Sequence, residues 1–210
     1  MIHRENTIHI DYFNIEGTPG GNQDWCTDFW MHLGGCAALA ACDLSICLAG
    51  NLGLTDCCPY GVKNMTREEY VDFAMVMKPY IPPRTGGVDK LPVFTEGYGR
   101  YLHDRGFEAE FDLCPGERPF EEAEDFVKCS LKKNLPVPFL LLRHRDKAFK
   151  DLVWHWFMIT GYDVRDGRSF LKYHTYGEEQ YVDFQRLWST GMRRRGGMAA
   201  IKKIDKKEIN

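Results

Sequence analysis

GGCAALAACDLSICLAG, residues 34–50, decides how the rest of the chain is read. From Cys36 to Ala49 only Asp43 and Ser45 are polar, so a helix here is apolar nearly all round and the remaining chain has to enclose it. It is the expected central helix. Gly34 and Gly35 allow a tight entry and remove side-chain bulk around Cys36. A helix start carries unpaired N–H groups and a partial positive charge, both of which favour thiolate over thiol. Cys36 is therefore the candidate nucleophile, although a buried cysteine is more often plain core. Its company raises the functional reading: Gln23 precedes it, and WHWFMITGYD, residues 154–163, is a strand pattern whose first polar side chain is His155. Cysteine at a helix start with a remote histidine on a strand is the pairing that thiol acyl transfer needs.

The 210 residues, 44% hydrophobic and 27% charged, suffice for one substantial core. A single domain over residues 1–210 is expected, its helical half about 23–134 and its sheet half about 135–204. The net charge of −3 gives no sign of a nucleic-acid partner, and the basic stretches at 193–195 and 202–207 read as solvated faces. The start, MIHRENTIHIDYF, has no apolar core behind a basic head, and no stretch reaches the length of a membrane span. Eight cysteines in a chain this rich in core segments read as reduced thiols. The expectation is a cytoplasmic protein, with secretion after removal of a leader left open.

Residues 7–15 favour a strand, and EGTPGGN, residues 16–22, is a turn-rich loop that delivers Gln23. Gly50 and Gly53 stop the central helix. Thr66 with Glu69 forms a capping box for a helix whose Tyr70, Phe73, Ala74 and Met77 share one face. A third helix covers 92 or 93 to 104, a short strand 107–113, and a fourth helix 120–134, with acids at its start and lysines at its end. Strand patterns then follow at 137–142, 153–162, 169–173, 180–184 and 198–204, with Asp166-Gly167 a strong turn signal. Helices first and a mostly antiparallel sheet second is an α+β plan.

GGCAALAA with an upstream Gln, then KNLPVPFLLL, HWFMITGYD and LKYHTYG, resembles the papain-like cysteine peptidases, most nearly the bacterial double-glycine (bacteriocin-leader) peptidases. The resemblance implies a papain-like fold, with Cys36 as nucleophile, His155 as general base and then acid, and Gln23 as oxyanion donor. A loop amide capping a backbone group is an equal reading for Gln23. The third member departs from the family pattern. Where the family has Asn or Asp before an aromatic-Gly turn, HTYG places His174. A neutral imidazole can accept the His155 ring N–H but supplies no negative charge. A symmetric hairpin turning at Asp166-Gly167 would set Glu178 opposite His155, which makes Glu178 the second candidate. Asp163, eight residues along at ~3.3 Å each, lies too far away.

No C-x-x-C or H-x-x-x-H spacing suggests a metal site, and no glycine-rich phosphate loop suggests a nucleotide cofactor, so neither is expected. His32 is near Cys36 in sequence, but its loop position favours His155 as the base. Three functions fit: hydrolysis of a peptide or amide bond through a thioester, transfer of the same acyl group to an amine, and peptide binding without catalysis. The implied partner is a peptide or protein substrate.

Overall fold

The computed structural model describes residues 7–207; residues 1–6, which carry part of the N-terminal reading, lie outside them. The predicted strand over 7–15 is divided into β1 (Thr7–His9) and β2 (Asn14–Ile15), and β2 turns back on β3 (Thr18–Pro19). A 3-10 turn at Gln23–Trp25 leads to α1 (Phe29–Gly34), a short helix that the sequence reading treats as loop. It abuts α2 (Cys36–Leu52), the central helix, at Gly35. Gly35 is needed for space rather than for an unusual angle, since its φ is −81° while a Cβ there would lie 2.4 Å from the Met31 carbonyl oxygen.

Every residue of α2 from Cys36 to Ala49 is buried, as the apolar run requires. Gly53 ends the helix in the left-handed conformation at φ 71°, its N–H returned to the Leu48 carbonyl. The capping box forms as predicted at the head of α3 (Arg67–Met77), with Thr66 and Glu69 bonding reciprocally. α4 (Leu91–Asp104), β4 (Phe107–Pro115), α5 (Phe120–Lys132) and β5 (Val137–Leu141) follow. The chain then runs through β6 (His155–Arg165), β7 (Arg168–Thr175), β8 (Glu178–Asp183), α6 (Phe184–Trp188) and β9 (Gly196–Lys206).

The sheet has seven strands in the order β4-β9-β5-β6-β7-β8, with β1 alongside β6, and its pairs are antiparallel. The α+β plan holds, with helix and strand on both sides of 134/135. β1 and β4 both come from the earlier part and join the sheet, and α6 lies in the later part. Helices cover both faces. On one face α2, α3 and α4 enclose Trp156 and Met158 of β6; on the other, Ala123, Val127 and Leu131 of α5 and Phe184 and Leu187 of α6 pack against Phe157 and Ile159. The alternation along β6 is the period of two that sends successive side chains to opposite cores.

The hairpin at Asp166-Gly167 forms with both residues at positive φ, and Arg165 pairs with Arg168. Its register then slips by one residue. The pairing runs from Gly161 with Lys172 to Ile159 with Tyr173, leaving Thr160 as a bulge. β7 ends at Thr175, and a second tight turn, Tyr176-Gly177 at φ 51° and 73°, leads into β8 with Thr175 opposite Glu178.

Candidate active site

Cys36 is the first residue of α2, and His155 the first of β6, the strand on which α2 packs. Both line one narrow cavity of about 30 Å³, together with Gln23, Asp43, Trp156, His174, Thr175 and Tyr176. The backbone N–H groups of Trp156, the residue after His155, of Ala37 and of Cys36 itself favour the Cys36 thiolate. Burial nonetheless pushes the thiol up, and these N–H groups pull it back without overcoming that effect. The expectation that the helix start holds a thiolate is therefore corrected. Cys36 is 7% exposed, and removing it from water outweighs the partial charge of the helix end.

His155 is also buried, and burial lowers its imidazole to about 4. The resting pair is a neutral thiol beside a neutral imidazole. Thr175 Oγ1 lies 2.6 Å from His155 Nε2, and the Tyr176 hydroxyl lies 3.3 Å from Nδ1. With the ring proton on Nε2, the Thr175 oxygen accepts it and the Nδ1 lone pair faces the Tyr176 hydroxyl as acceptor; this tautomer is assigned from the bonding network. Tyr176 also stacks flat on the imidazole, at 4.6 Å between centroids and 7° between planes. The two tryptophans that flank His155 point different ways. Trp156 turns into the core and donates to the Val88 carbonyl, while Trp154, at φ 59°, lies at the surface beneath the Arg194 guanidinium.

His174 lines the same cavity, but its ring nitrogens have no hydrogen-bond partner and do not engage His155. It stacks on Tyr12 at 4.1 Å, and its Nε2 is 3.6 Å from a Glu179 oxygen, beyond hydrogen-bond length. Burial lowers it to about 4, so it too is neutral. The sequence reading missed Thr175, the next residue along, which takes the position on Nε2. The signal lay in the pleat, because the Thr160 bulge shifts every pairing between it and His155 by one. The bulge and the early turn at Tyr176-Gly177 also remove Glu178 from consideration as the partner of His155. Glu178 sits on β8, pairs with Thr175 in register and accepts from the Gln180 amide. Asp163 is engaged by His9 and Arg165.

Gln23 is buried, and its Nε2 donates one N–H to the His32 carbonyl. The other N–H is left free, and its Oε1 is buried without a partner. The His32 carbonyl therefore fixes the amide, while the His32 side chain is exposed. At the floor, Asp43 accepts from Tyr12 and Tyr70, each at 2.7 Å. Burial raises its carboxyl to about 6 against the pull of these donors. Among the described residues no group of three or more His, Cys, Asp or Glu side chains could hold a metal ion, and no helix is long and apolar enough to cross a membrane. The eight cysteines are unpaired, and only Cys129 is exposed.

No protein-family profile matches the sequence, and no curated protein matches it. Among solved structures the chain is similar to UfSP from C. elegans, with a TM-score of 0.46 and 13% identity over 97% of this chain and 35% of that one. It is also similar to the Pseudomonas avirulence protein AvrPphB, with a TM-score of 0.39 and 10% identity over 86% of this chain and 96% of that one. The chain thus spans about a third of the length of the UfSP chain.

Proposed function

We propose that this chain is a papain-like cysteine peptidase or amidase. The supporting observation is that Cys36 and His155 line one cavity, with the Nε2 of His155 held on Thr175. In the proposed reaction Cys36 attacks the carbonyl carbon as its proton passes to His155 Nδ1. The developing oxyanion takes the Cys36 N–H and the second Gln23 N–H. The C–N bond then breaks, the amine leaves with the proton from His155, and a thioester remains on Cys36. Water, deprotonated by His155, adds to the thioester and releases the acid. An amine in place of water would give acyl transfer by the same steps.

Within this class the motif order favours the double-glycine branch. The direct test is a set of peptides with and without an internal Gly-Gly, followed by mass spectrometry. Cleavage after Gly-Gly that is lost in Cys36→Ala and His155→Ala supports the reading. Products that persist in both variants overturn it.

A second reading, a peptide-binding module without turnover, is favoured by the neutral resting pair, with the thiol pushed up and the imidazole at about 4. Limiting iodoacetamide at pH 7.5 separates the two, with peptide mapping that compares Cys36 with the other buried cysteines and sets exposed Cys129 aside. Preferential alkylation of Cys36 that disappears in His155→Ala belongs to the enzyme. Equal labelling of the buried thiols belongs to the binding module.

A further inference from the structure

Asp43 is the one acidic residue of the buried helix, on the cavity side two turns after Cys36, and the proposed reaction gives it no chemical step. Its surroundings tie three segments together. Tyr12 reaches it from the segment before β2 and Tyr70 from α3, and the Tyr70 hydroxyl in turn packs on Gly21, in the loop leading to Gln23. Gly21 is held so closely that a Cβ there would lie 1.9 Å from the Tyr70 hydroxyl.

The same short strap grips the other wall of the cavity. The Gly21 carbonyl accepts the N–H of Gly177 at 3.2 Å, and the Asn22 side-chain amide donates to the Tyr176 carbonyl at 3.0 Å. Gln23 is the next residue along the strap. Tyr176 and Thr175, at the far end of these bonds, are the groups that contact the two nitrogens of His155. Tyr12, on its other side, is the ring on which His174 rests. A single carboxylate on the nucleophile's own helix thus anchors the oxyanion donor's loop, and through it the turn that orients the base.

We infer that Asp43 is a positioning residue: through Tyr70, packed on Gly21, it holds Gln23 and the Thr175-Tyr176-Gly177 turn in register with Cys36. The inference rests on the proposed cysteine chemistry, but it makes a structural claim that can be read separately. A carboxylate accepts from both hydroxyls at once. The amide of Asp43→Asn has one oxygen, and its NH2 would face a hydroxyl that must then reorient. The Tyr70 hydroxyl has the least room to do so, because Gly21 is packed against it.

Two measurements test this. The first is amide hydrogen exchange: Asp43→Asn should exchange at Gly21 and Gly177 at least ~10-fold faster than the unmodified chain, with the amides of α5 unchanged. The second is a double-mutant cycle on nitrophenolate release from 4-nitrophenyl acetate, counting only the rate lost in Cys36→Ala. Gln23→Ala alone should lower kcat/KM by about 100-fold. In the Asp43→Asn background the same change should cost less than about 5-fold, because the donor is already displaced.

Additive effects, or wild-type exchange at Gly21 and Gly177, would overturn the inference. If Asp43→Asn does not fold, Tyr70→Phe removes one donor and the hydroxyl packed on Gly21. It should move both readouts in the same direction by a smaller amount, and unchanged exchange in Tyr70→Phe would count equally against the strap. A chain with no Cys36-dependent release would defeat the proposed function, and the exchange measurement would still decide the role of Asp43.

Discussion

Two contacts on the His155 ring carry opposite kinds of control. Thr175 holds Nε2 at 2.6 Å and sets the ring's orientation, whereas Tyr176 lies on its face and removes it from water. Thr175→Val keeps the shape of the side chain and deletes the oxygen, so Cys36-dependent turnover of 4-nitrophenyl acetate should fall by about 10- to 100-fold. His174→Phe, which fills the same space on Tyr12, should change it by less than about 3-fold; the reverse ranking would return His174 to the site as the orienting group. Because burial causes the low imidazole value, Tyr176→Ala should raise His155 from about 4 toward the ordinary 6.5, read by NMR titration of the ring protons. That Cys36 and His155 come to line one cavity was legible from residue type and local pattern. Thr175 was not, since its neighbour His174 carries the more conspicuous chemistry and only the register distinguishes them.

The central helix was the most legible element, because fourteen consecutive positions without a polar stripe leave a soluble protein no arrangement but enclosure. The capping box at Thr66 and Glu69 was equally plain, as both partners lie within one turn. What escaped depends on contacts between distant segments. The Thr160 bulge sits beside Gly161, where a Cβ would lie 2.6 Å from the His9 ring, and nothing local to residues 154–163 announces that neighbour. The break between α1 and α2 is similar, being set by the approach of Gly35 to the Met31 carbonyl. Gly35→Ala should therefore cost about 1–3 kcal/mol of stability in urea unfolding, although alanine is the better helix former. A stabilised Gly35→Ala variant would mean that the junction relaxes freely.

At the scale of the whole molecule, buried titratable groups give stability a pH slope. His155 and His174 are held at about 4 in the folded chain, against 6.5 for the exposed side chain. Between those values the unfolded chain binds more protons, so their contribution is fully present above about 6.5 and is lost as pH falls toward 4. Asp43, raised to about 6 from 3.8, works the other way, because there the folded chain holds the extra proton. Two histidines oppose one carboxyl, so the sum over these three groups rises with pH. The urea midpoint should therefore be higher at pH 7 than at pH 4.5, and His174→Phe should flatten the difference; an unchanged slope in that variant would show that His174 is not held neutral.

The strand order carries one more consequence. β9 belongs between β4 and β5, so the sheet stays in two pieces until residues 196–206 join it. A chain shortened before residue 196 would carry both the sulfur and the imidazole on a platform that cannot close.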